Sequence, residues 1–283
     1  MGTHMTTDTA PSPTVDWQAA LCQTLVNLRE RWPHPWPGLP VVLDACALQL
    51  WPQPASLAPL PQQMLAIAKA IASDMETHAQ TTAYEPHYHN RLHTADALVS
   101  LCWLIKALNA HQHTVPDEWA ASLLLAVTAH DALHPGGANQ HLQELEQQSV
   151  QWFEQQATRL GLPSHWCDVV SQLILRTDPS LVAANHQRVS GTAFVCDLDW
   201  AVVLMNEADI LASATAEVGP QLGRQLASEW QVKQHPLHHV VGSDAGRLQF
   251  LSSLRFSTPA SQVLHMPQTV AAQITQLRAH VGT

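Results

Sequence analysis

The sequence predicts an all-α protein, and two observations support this prediction. Glycine and phenylalanine are scarce, with 11 and 4 copies among 283 residues, whereas runs rich in alanine, leucine and glutamine are long. This balance favours helices over strands. In addition, the chain beyond Pro61 has helical periodicity almost throughout, and segments with the alternating pattern of β-strands are scarce.

The helices follow from local patterns taken in order. Residues 14–31 place Leu21, Leu25 and Leu28 on one stripe and predict an amphipathic helix. Residues 32–61 are dense in proline and are predicted to be mostly irregular. Prolines at 116, 163 and 259 stand where later helices begin. The later predicted segments are 62–80, 90–110, 116–132, 140–160, 163–177, 190–213, 217–234, 243–254 and 259–280.

These elements predict three regions along the chain. Residues 1–13 open with MGTHM and are expected to be a cloning remnant followed by a flexible tail. Residues 14–61 are expected to form a helix and a segment rich in proline and tryptophan that packs on the main domain. Residues 62–283 are expected to form that domain, which is entirely helical.

Charge and composition limit the ligands that the chain can bind. Lys and Arg total 13 against 23 Asp and Glu, a formal net charge of −10, which argues against polymeric nucleic acid and anionic membranes as partners. No apolar run approaches the length of about 18 residues that a membrane span needs. The five cysteines are widely spaced without a CxxC pair, and no secretory signal is visible, so we expect a cytoplasmic protein without a disulfide framework. The oligomeric state is left open.

Histidines and carboxylates form separated patches that together predict a metal centre. His89 and His93 are four residues apart and share a helix face. His130 and Asp131 close an apolar run, where a cation is needed to offset their desolvation. With Asp209 from another helix, these patches supply two imidazoles and two carboxylates for divalent metals. Asp131 is predicted to bridge two ions about 3.5–4 Å apart, and His89 to protonate a departing oxygen.

The motifs of the chain resemble those of the class I 3′,5′-cyclic nucleotide phosphodiesterases, members of the HD-domain metal-dependent phosphohydrolases. The resemblance rests on YHNxxHxxD at 88–96, HDxxHPGxxN at 130–139, the TD dipeptide at 177–178 and the AD dipeptide at 208–209. It extends over roughly residues 80–255. It implies an all-α fold and a stand-alone catalytic domain.

The resemblance also implies roles for single residues. It implies a zinc-like ion bound by His93, His130, Asp131 and Asp209, and a second ion, magnesium or manganese, that shares Asp131. Asp197 and Asp199 compete for the last ligand position, and the context NEADILASA favours Asp209. The further roles implied are the general acid for the 3′-oxygen (His89), a catalytic carboxylate that orients metal-bound water (Glu146), other groups that orient this water (His134, Asn139), a residue beside the metal ligands (Asp178) and substrate contacts (Tyr88, Arg247, Gln249, Phe250).

Two positions depart from the family pattern, and both concern recognition of the substrate. Ala212 stands where the family has asparagine, and Arg247 stands where it has a glutamine that reads the base. A guanidinium only donates hydrogen bonds, so it cannot replace an amide, although it can grip a phosphate. Phe250 either stacks on the base or packs in the core. The sequence therefore leaves the identity of the base open.

The predicted function is hydrolysis of the 3′-ester of cyclic AMP, cyclic GMP or both, in signal transduction. A metal-bridged hydroxide would attack the phosphate while His89 protonates the leaving oxygen to release a 5′-nucleotide. The alternative is an HD-type phosphohydrolase that acts on another phosphodiester or a phosphomonoester. A third possibility is an inactive metal-binding sensor with the same fold.

Overall fold

The computed structural model describes residues 16–82 and 84–281, where it contains fourteen α-helices and no strand. The all-α prediction is therefore confirmed. The predicted tail over residues 1–13 lies outside the described residues. The helices are α1 (Trp17–Glu30), α2 (Leu39–Leu50), α3 (Pro59–Thr81), α4 (Arg91–Ala110), α5 (Asp117–Ala129), α6 (Glu144–Arg159), α7 (Ser164–Leu175), α8 (Pro179–Val189), α9 (Leu198–Ala214), α10 (Gly219–Val232), α11 (His238–Val241), α12 (Asp244–Ser253), α13 (Pro259–Val263) and α14 (Met266–Val281).

Helix α2 corrects the prediction that residues 32–61 are mostly irregular. The prolines of this region lie mainly on either side of the helix, and Pro40 occupies its first turn, where a missing N–H costs no hydrogen bond. Between these prolines, Leu39, Leu43 and Cys46 are buried against the rest of the molecule. The number of prolines in this region therefore did not predict irregular structure correctly, because the position of each proline relative to the helix matters more than their number.

Two further predicted segments have different bounds in the structure. The segment predicted over 190–213 begins only at Leu198, because Gly191 adopts a φ of 75° and Asp197 caps the new helix by accepting from the N–H of Trp200. The segment predicted over 259–280 is interrupted at His265, whose φ is 52°. Helix α8, which was not predicted, starts with a cap from Asp178.

Helix α4 lies at the centre of the fold and carries one of the histidine motifs. Its side chains are buried in an unbroken run from residue 92 to residue 102, and it packs against α1, α2, α5, α9 and α13. Asn90 starts the helix by accepting from the N–H groups of Leu92 and His93. The buried first turn of α4 therefore positions His93. No helix among the described residues is long and apolar enough to cross a membrane.

An ion pair between Arg29 and Asp96 joins α1 to α4 inside the protein. The two side chains are 7% and 1% exposed. Burial raises the pKa of Asp96 to about 6, although the charge of Arg29 opposes this shift. The carboxylate thus depends on the arginine of α1 to remain charged near neutral pH.

We predict that R29M lowers the free energy of unfolding by about 3–5 kcal/mol at pH 7, because it leaves the Asp96 carboxylate buried without a partner. Urea unfolding measures this loss, with R31M as the control, since Arg31 is exposed and should cost less than about 0.5 kcal/mol. The loss should shrink below pH 6, where Asp96 can take up a proton. Equal losses for the two variants would contradict the prediction.

Candidate metal and catalytic centre

Four side chains from three parts of the fold converge at the end of α5. His93 Nε2 of α4 lies 3.2 Å from Asp131 Oδ2 and 3.0 Å from Asp209 Oδ1 of α9. His130 Nε2 lies 3.4 Å and 3.3 Å from the same two oxygen atoms. The structure therefore brings together all four predicted metal ligands, and the two histidines are almost fully buried.

The hydrogen bonds of His130 direct its ring toward the cluster. His130 Nδ1 donates to the carbonyl oxygen of Val127 at 2.7 Å, which leaves Nε2 free to bind a cation. The ring of His93 packs against the ring of Tyr88, with 4.8 Å between the ring centroids. Neighbouring groups therefore help to orient both imidazole rings.

The histidines and carboxylates of the cluster shift the pKa values of one another, and their donor atoms lie close together. Burial should lower the pKa of His130, but Asp131 and Asp209 raise it to about 9, and the pKa of His93 is also raised well above its usual range. The same contacts hold the pKa values of both carboxyl groups below their usual range despite burial. Two carboxylates and two imidazoles, with the donor atoms of His93, His130 and Asp209 all within 4.8 Å of one another, fit a divalent metal.

The two competing aspartates lie elsewhere. Asp197 caps α9, and Asp199 Oδ1 accepts from Arg176 at 2.7 Å. Of the three candidates, only Asp209 is placed beside His93 and His130.

An amide and two carboxylates form a polar group near the cluster. Asn139 Nδ2 donates to Glu146 Oε2 at 2.8 Å and to Asp178 Oδ2 at 3.3 Å. Asp178 also accepts from the N–H of Gln143 at 2.7 Å. Burial raises the pKa of Glu146, and the charges of Asp178 and Asp131 raise it further. Glu146 thus lies within electrostatic reach of the metal-ligand set.

His89 precedes α4 and lies on another side of the cluster. Its Nδ1 donates to Glu229 Oε1 at 2.5 Å, and its ring stacks on that of His134 with 3.9 Å between centroids and 28° between planes. Burial and the neighbouring His89 lower the pKa of His134 to about 4, so His134 stays neutral at pH 7. A cavity of about 240 Å³ is lined by His89, Asp131 and His134 among others.

Glu229 of α10 was missed by the sequence analysis. It is fully buried, and it accepts from the backbone N–H groups of Tyr88 at 2.8 Å and His89 at 2.9 Å. It also packs against Gly136, where a Cβ atom would come within 3.1 Å of its side chain. One signal was available: Glu229 follows buried Leu222 by seven residues, which places a carboxylate on the inner face of an amphipathic helix.

The state of Glu229 leads to a pH prediction. Burial alone would raise its pKa, but the hydrogen bonds from His89 and the backbone lower it to about 2. A carboxyl whose pKa is lowered by folding stabilises the protein above its unfolded pKa, and this contribution is lost as pH falls toward the folded value. We therefore expect E229Q to lose about 3 kcal/mol of unfolding free energy at pH 7.

Urea unfolding at pH 7 and pH 3 measures this effect, and the difference between E229Q and the wild type should shrink at the lower pH. E217Q is the matched control, because Glu217 is an exposed glutamate just before α10, and its substitution should change the free energy of unfolding by less than about 0.5 kcal/mol. A difference between E229Q and the wild type that is the same at both pH values would contradict the assignment.

The predicted substrate residues fall into two groups. Tyr88 lies beside the cluster, with its hydroxyl 3.0 Å from Ser213 Oγ. Arg247 instead donates to the carbonyl oxygens of Ser213 at 3.2 Å and Thr215 at 2.9 Å, and to Gln273 Oε1 at 2.5 Å. Arg247 therefore joins α12 to the end of α9 and to α14, and its predicted grip on phosphate stays a prediction.

The other two substrate positions lie on α12. Gln249 is exposed, whereas Phe250 is half-buried and packs against the hydrophobic core. Ala212, at the position where asparagine was expected, is buried in α9. The substrate roles of Gln249 and Phe250 stay predictions.

The chain is similar to known proteins both in sequence and in fold. Residues 88–191 match the model of the 3'5'-cyclic nucleotide phosphodiesterase family. The fold is similar to LmjPDEB1 in complex with IBMX, with a TM-score of 0.65, 14% identity and 91% of each chain covered. It is also similar to the phosphodiesterase domain of the RhoPDE fusion protein from the choanoflagellate Salpingoeca rosetta, with a TM-score of 0.61, 13% identity, and 95% of this chain and 96% of that chain covered.

A comparison with curated proteins gives no match. The family match nevertheless spans the first two histidine motifs, the polar group around Asn139 and the TD dipeptide, and the likeness in fold covers nearly the whole chain. The resemblance predicted from the motifs is therefore confirmed over residues 88–191, and the all-α fold of the chain is similar to that of two phosphodiesterase structures.

Proposed function

We propose that the chain hydrolyses the 3′-ester bond of a 3′,5′-cyclic nucleotide, cyclic AMP or cyclic GMP, to give the 5′-nucleotide. The single observation that carries this proposal is the placement of His93, His130, Asp131 and Asp209 beside the His89–Glu229 pair. A cation site next to a buried histidine–carboxylate pair suits phosphodiester hydrolysis, which needs charge neutralisation and a proton for the leaving oxygen. The family match supports the same reaction class.

The four-residue cluster is proposed to hold two divalent ions, a zinc-like ion on all four side chains and magnesium or manganese sharing Asp131. When bound, such ions neutralise phosphate charge and lower the pKa of water. Charge neutralisation by these ions would explain how an acidic chain binds an anionic substrate.

His89 is proposed to deliver the proton. Because Nδ1 donates to Glu229, Nε2 is the ring atom that would carry the proton to the leaving oxygen. The stacked His134 restricts the ring plane. Together these contacts keep the donor atom in one orientation before the substrate arrives, which lowers the entropic cost of the transfer.

Glu146 is proposed to orient the attacking water. Asn139 fixes Glu146 through its amide, and Asp178 holds that amide in place from the start of α8. Tyr88, Gln249, Phe250 and Arg247 are the proposed substrate contacts.

A second candidate is hydrolysis of another phosphodiester or a phosphomonoester by the same centre. The observation that favours it is Arg247, which stands where the family would have a glutamine that recognises the base. Its guanidinium donates to main-chain carbonyl oxygens and to Gln273. An inactive sensor would require a gap in the hydrolytic set, and all four proposed ligand positions are filled by suitable donors.

A turnover panel tests the proposal. The chain is stripped with chelator, reloaded with zinc plus magnesium or with manganese, and offered cyclic AMP, cyclic GMP, a phosphomonoester and bis-(p-nitrophenyl) phosphate, with product analysis by chromatography. We expect 5′-nucleotide from at least one cyclic nucleotide, and no product with chelator. Turnover of the other esters alone would favour the second candidate, and no turnover by metal-loaded protein would favour the sensor.

A further inference from the structure

A cavity of about 800 Å³ lies between α1, α2 and α4, apart from the metal cluster. Its walls include Leu28, Val42 and Val99. Two cysteines also line it, Cys46 from α2 and Cys102 from α4. Both are buried in the core, at 5% and 4% exposure, so the cavity is the route by which a small reagent would reach them.

The two thiol groups are neighbours. Cys102 Sγ lies 3.7 Å from the carbonyl oxygen of Cys46, and each thiol shifts the pKa of the other. They are 56 residues apart in the sequence and come together because α2 and α4 pack closely. Neither residue takes part in the proposed hydrolytic centre.

Lys106 places a positive charge close to this pair. It follows Cys102 by one helical turn and also lines the cavity. Its Nζ lies 4.7 Å from the ring centroid of Trp103 and 2.8 Å from Gln49 Oε1, so the ammonium group is held at the cavity wall. A thiolate next to a fixed ammonium group is the usual setting of a reactive cysteine.

The two thiols differ in acidity, and the remaining cysteines are less acidic than Cys102. The hydrogen bond from Cys46 lowers the pKa of Cys102, burial opposes it and Lys106 lowers it further, whereas the same hydrogen bond raises the pKa of Cys46. Burial raises the pKa of Cys22 and Cys196 to about 12, and it also raises that of Cys167. Cys102 therefore has the largest share of thiolate.

We propose that Cys46 and Cys102 are a peroxide-reactive pair that closes to a disulfide between α2 and α4. The Cys102 thiolate attacks hydrogen peroxide, breaks its O–O bond and becomes a sulfenic acid, with hydroxide as the leaving group. The Cys46 sulfur then attacks the sulfenic sulfur, the S–O bond breaks, and the proton of the Cys46 thiol leaves with the oxygen as water. Peroxide is reduced by two electrons and the two thiols are oxidised.

Peptide mapping of the full chain tests this proposal without relying on activity. Trypsin releases Cys46 in the peptide 32–69 and Cys102 in the peptide 92–106, each with one cysteine. After brief treatment with hydrogen peroxide and alkylation of free thiols, we expect these two peptides to be linked, with the loss of two hydrogen atoms in mass. Cys102 should be consumed at least about tenfold faster than Cys196, because a lower pKa raises the thiolate fraction more than it weakens the nucleophile.

Two variants separate the steps. C46A should stop at a sulfenic acid on Cys102 that dimedone traps, and C102A should leave Cys46 unoxidised under the same treatment. C167A is the matched control, because Cys167 is half-exposed and outside the cavity, and it should form the linked peptides as the wild type does. Oxidation of Cys167 or Cys196 before Cys102, or sulfenic acid on Cys102 in the wild type without linked peptides, would overturn the proposal.

Discussion

D131N should lose its bound metal and its turnover together, with a fall in kcat/KM of more than about 10³-fold, because the positive charge needed for phosphate transfer is no longer held. Asp131 Oδ2 approaches both His93 and His130, so one substitution removes a shared donor. An amide of the same shape keeps the packing and removes the negative charge that attracts the ions. Metal content by mass spectrometry and steady-state kinetics on cyclic nucleotides measure the two effects.

D199N is the matched control, because Asp199 is a carboxylate in the first turn of α9 that pairs with Arg176 away from the cluster. It should keep its metal and its turnover. Retention of two ions by D131N, with turnover near that of the wild type, would show that Asp131 is not the shared ligand.

H89A should keep its metal content and lose about 10²–10⁴-fold in kcat on a cyclic nucleotide, which is the usual contribution of a general acid. The loss should be much smaller on bis-(p-nitrophenyl) phosphate, because a nitrophenolate leaves without being protonated. The difference between these two substrates separates a lost proton donor from a general distortion of the site, which would slow both.

H87A is the control for H89A, since His87 lies two residues away in the same segment and is exposed. It should behave as the wild type on both substrates. Full turnover of H89A on the cyclic nucleotide, or an equal loss on the two substrates, would contradict the role of His89.

Local signals were enough to predict most helices and the residues that meet at the metal cluster. His93, His130 and Asp209 each stand in a strongly apolar helical context, where a polar group needs a partner. Helix α2 was missed because its flanking prolines outweighed a short apolar run. Helix α8 was missed because the Asp178–Pro179 dipeptide suggests a turn. In the structure Asp178 caps the helix and Pro179 is its first residue.

Partners that are distant in the chain could not be read from any local pattern. Glu229 is 140 residues from His89, and Arg29 is 67 residues from Asp96. The helix pattern can place Glu229 on the inner face of α10, but it does not identify the residue that Glu229 contacts. Their roles depend on how α10 and α1 dock, and docking is decided by the complementarity of whole surfaces.

The side chain of Asn90 has a consequence for how the two chemical tasks depend on each other. Its amide nitrogen holds the carbonyls of Pro86 and His87, each at 3.0 Å, while its oxygen receives the N–H of His93. One carboxamide therefore holds the segment that carries His89, the proposed acid, to the first turn of α4, which carries His93, a proposed ligand. A shift of either residue is therefore transmitted to the other.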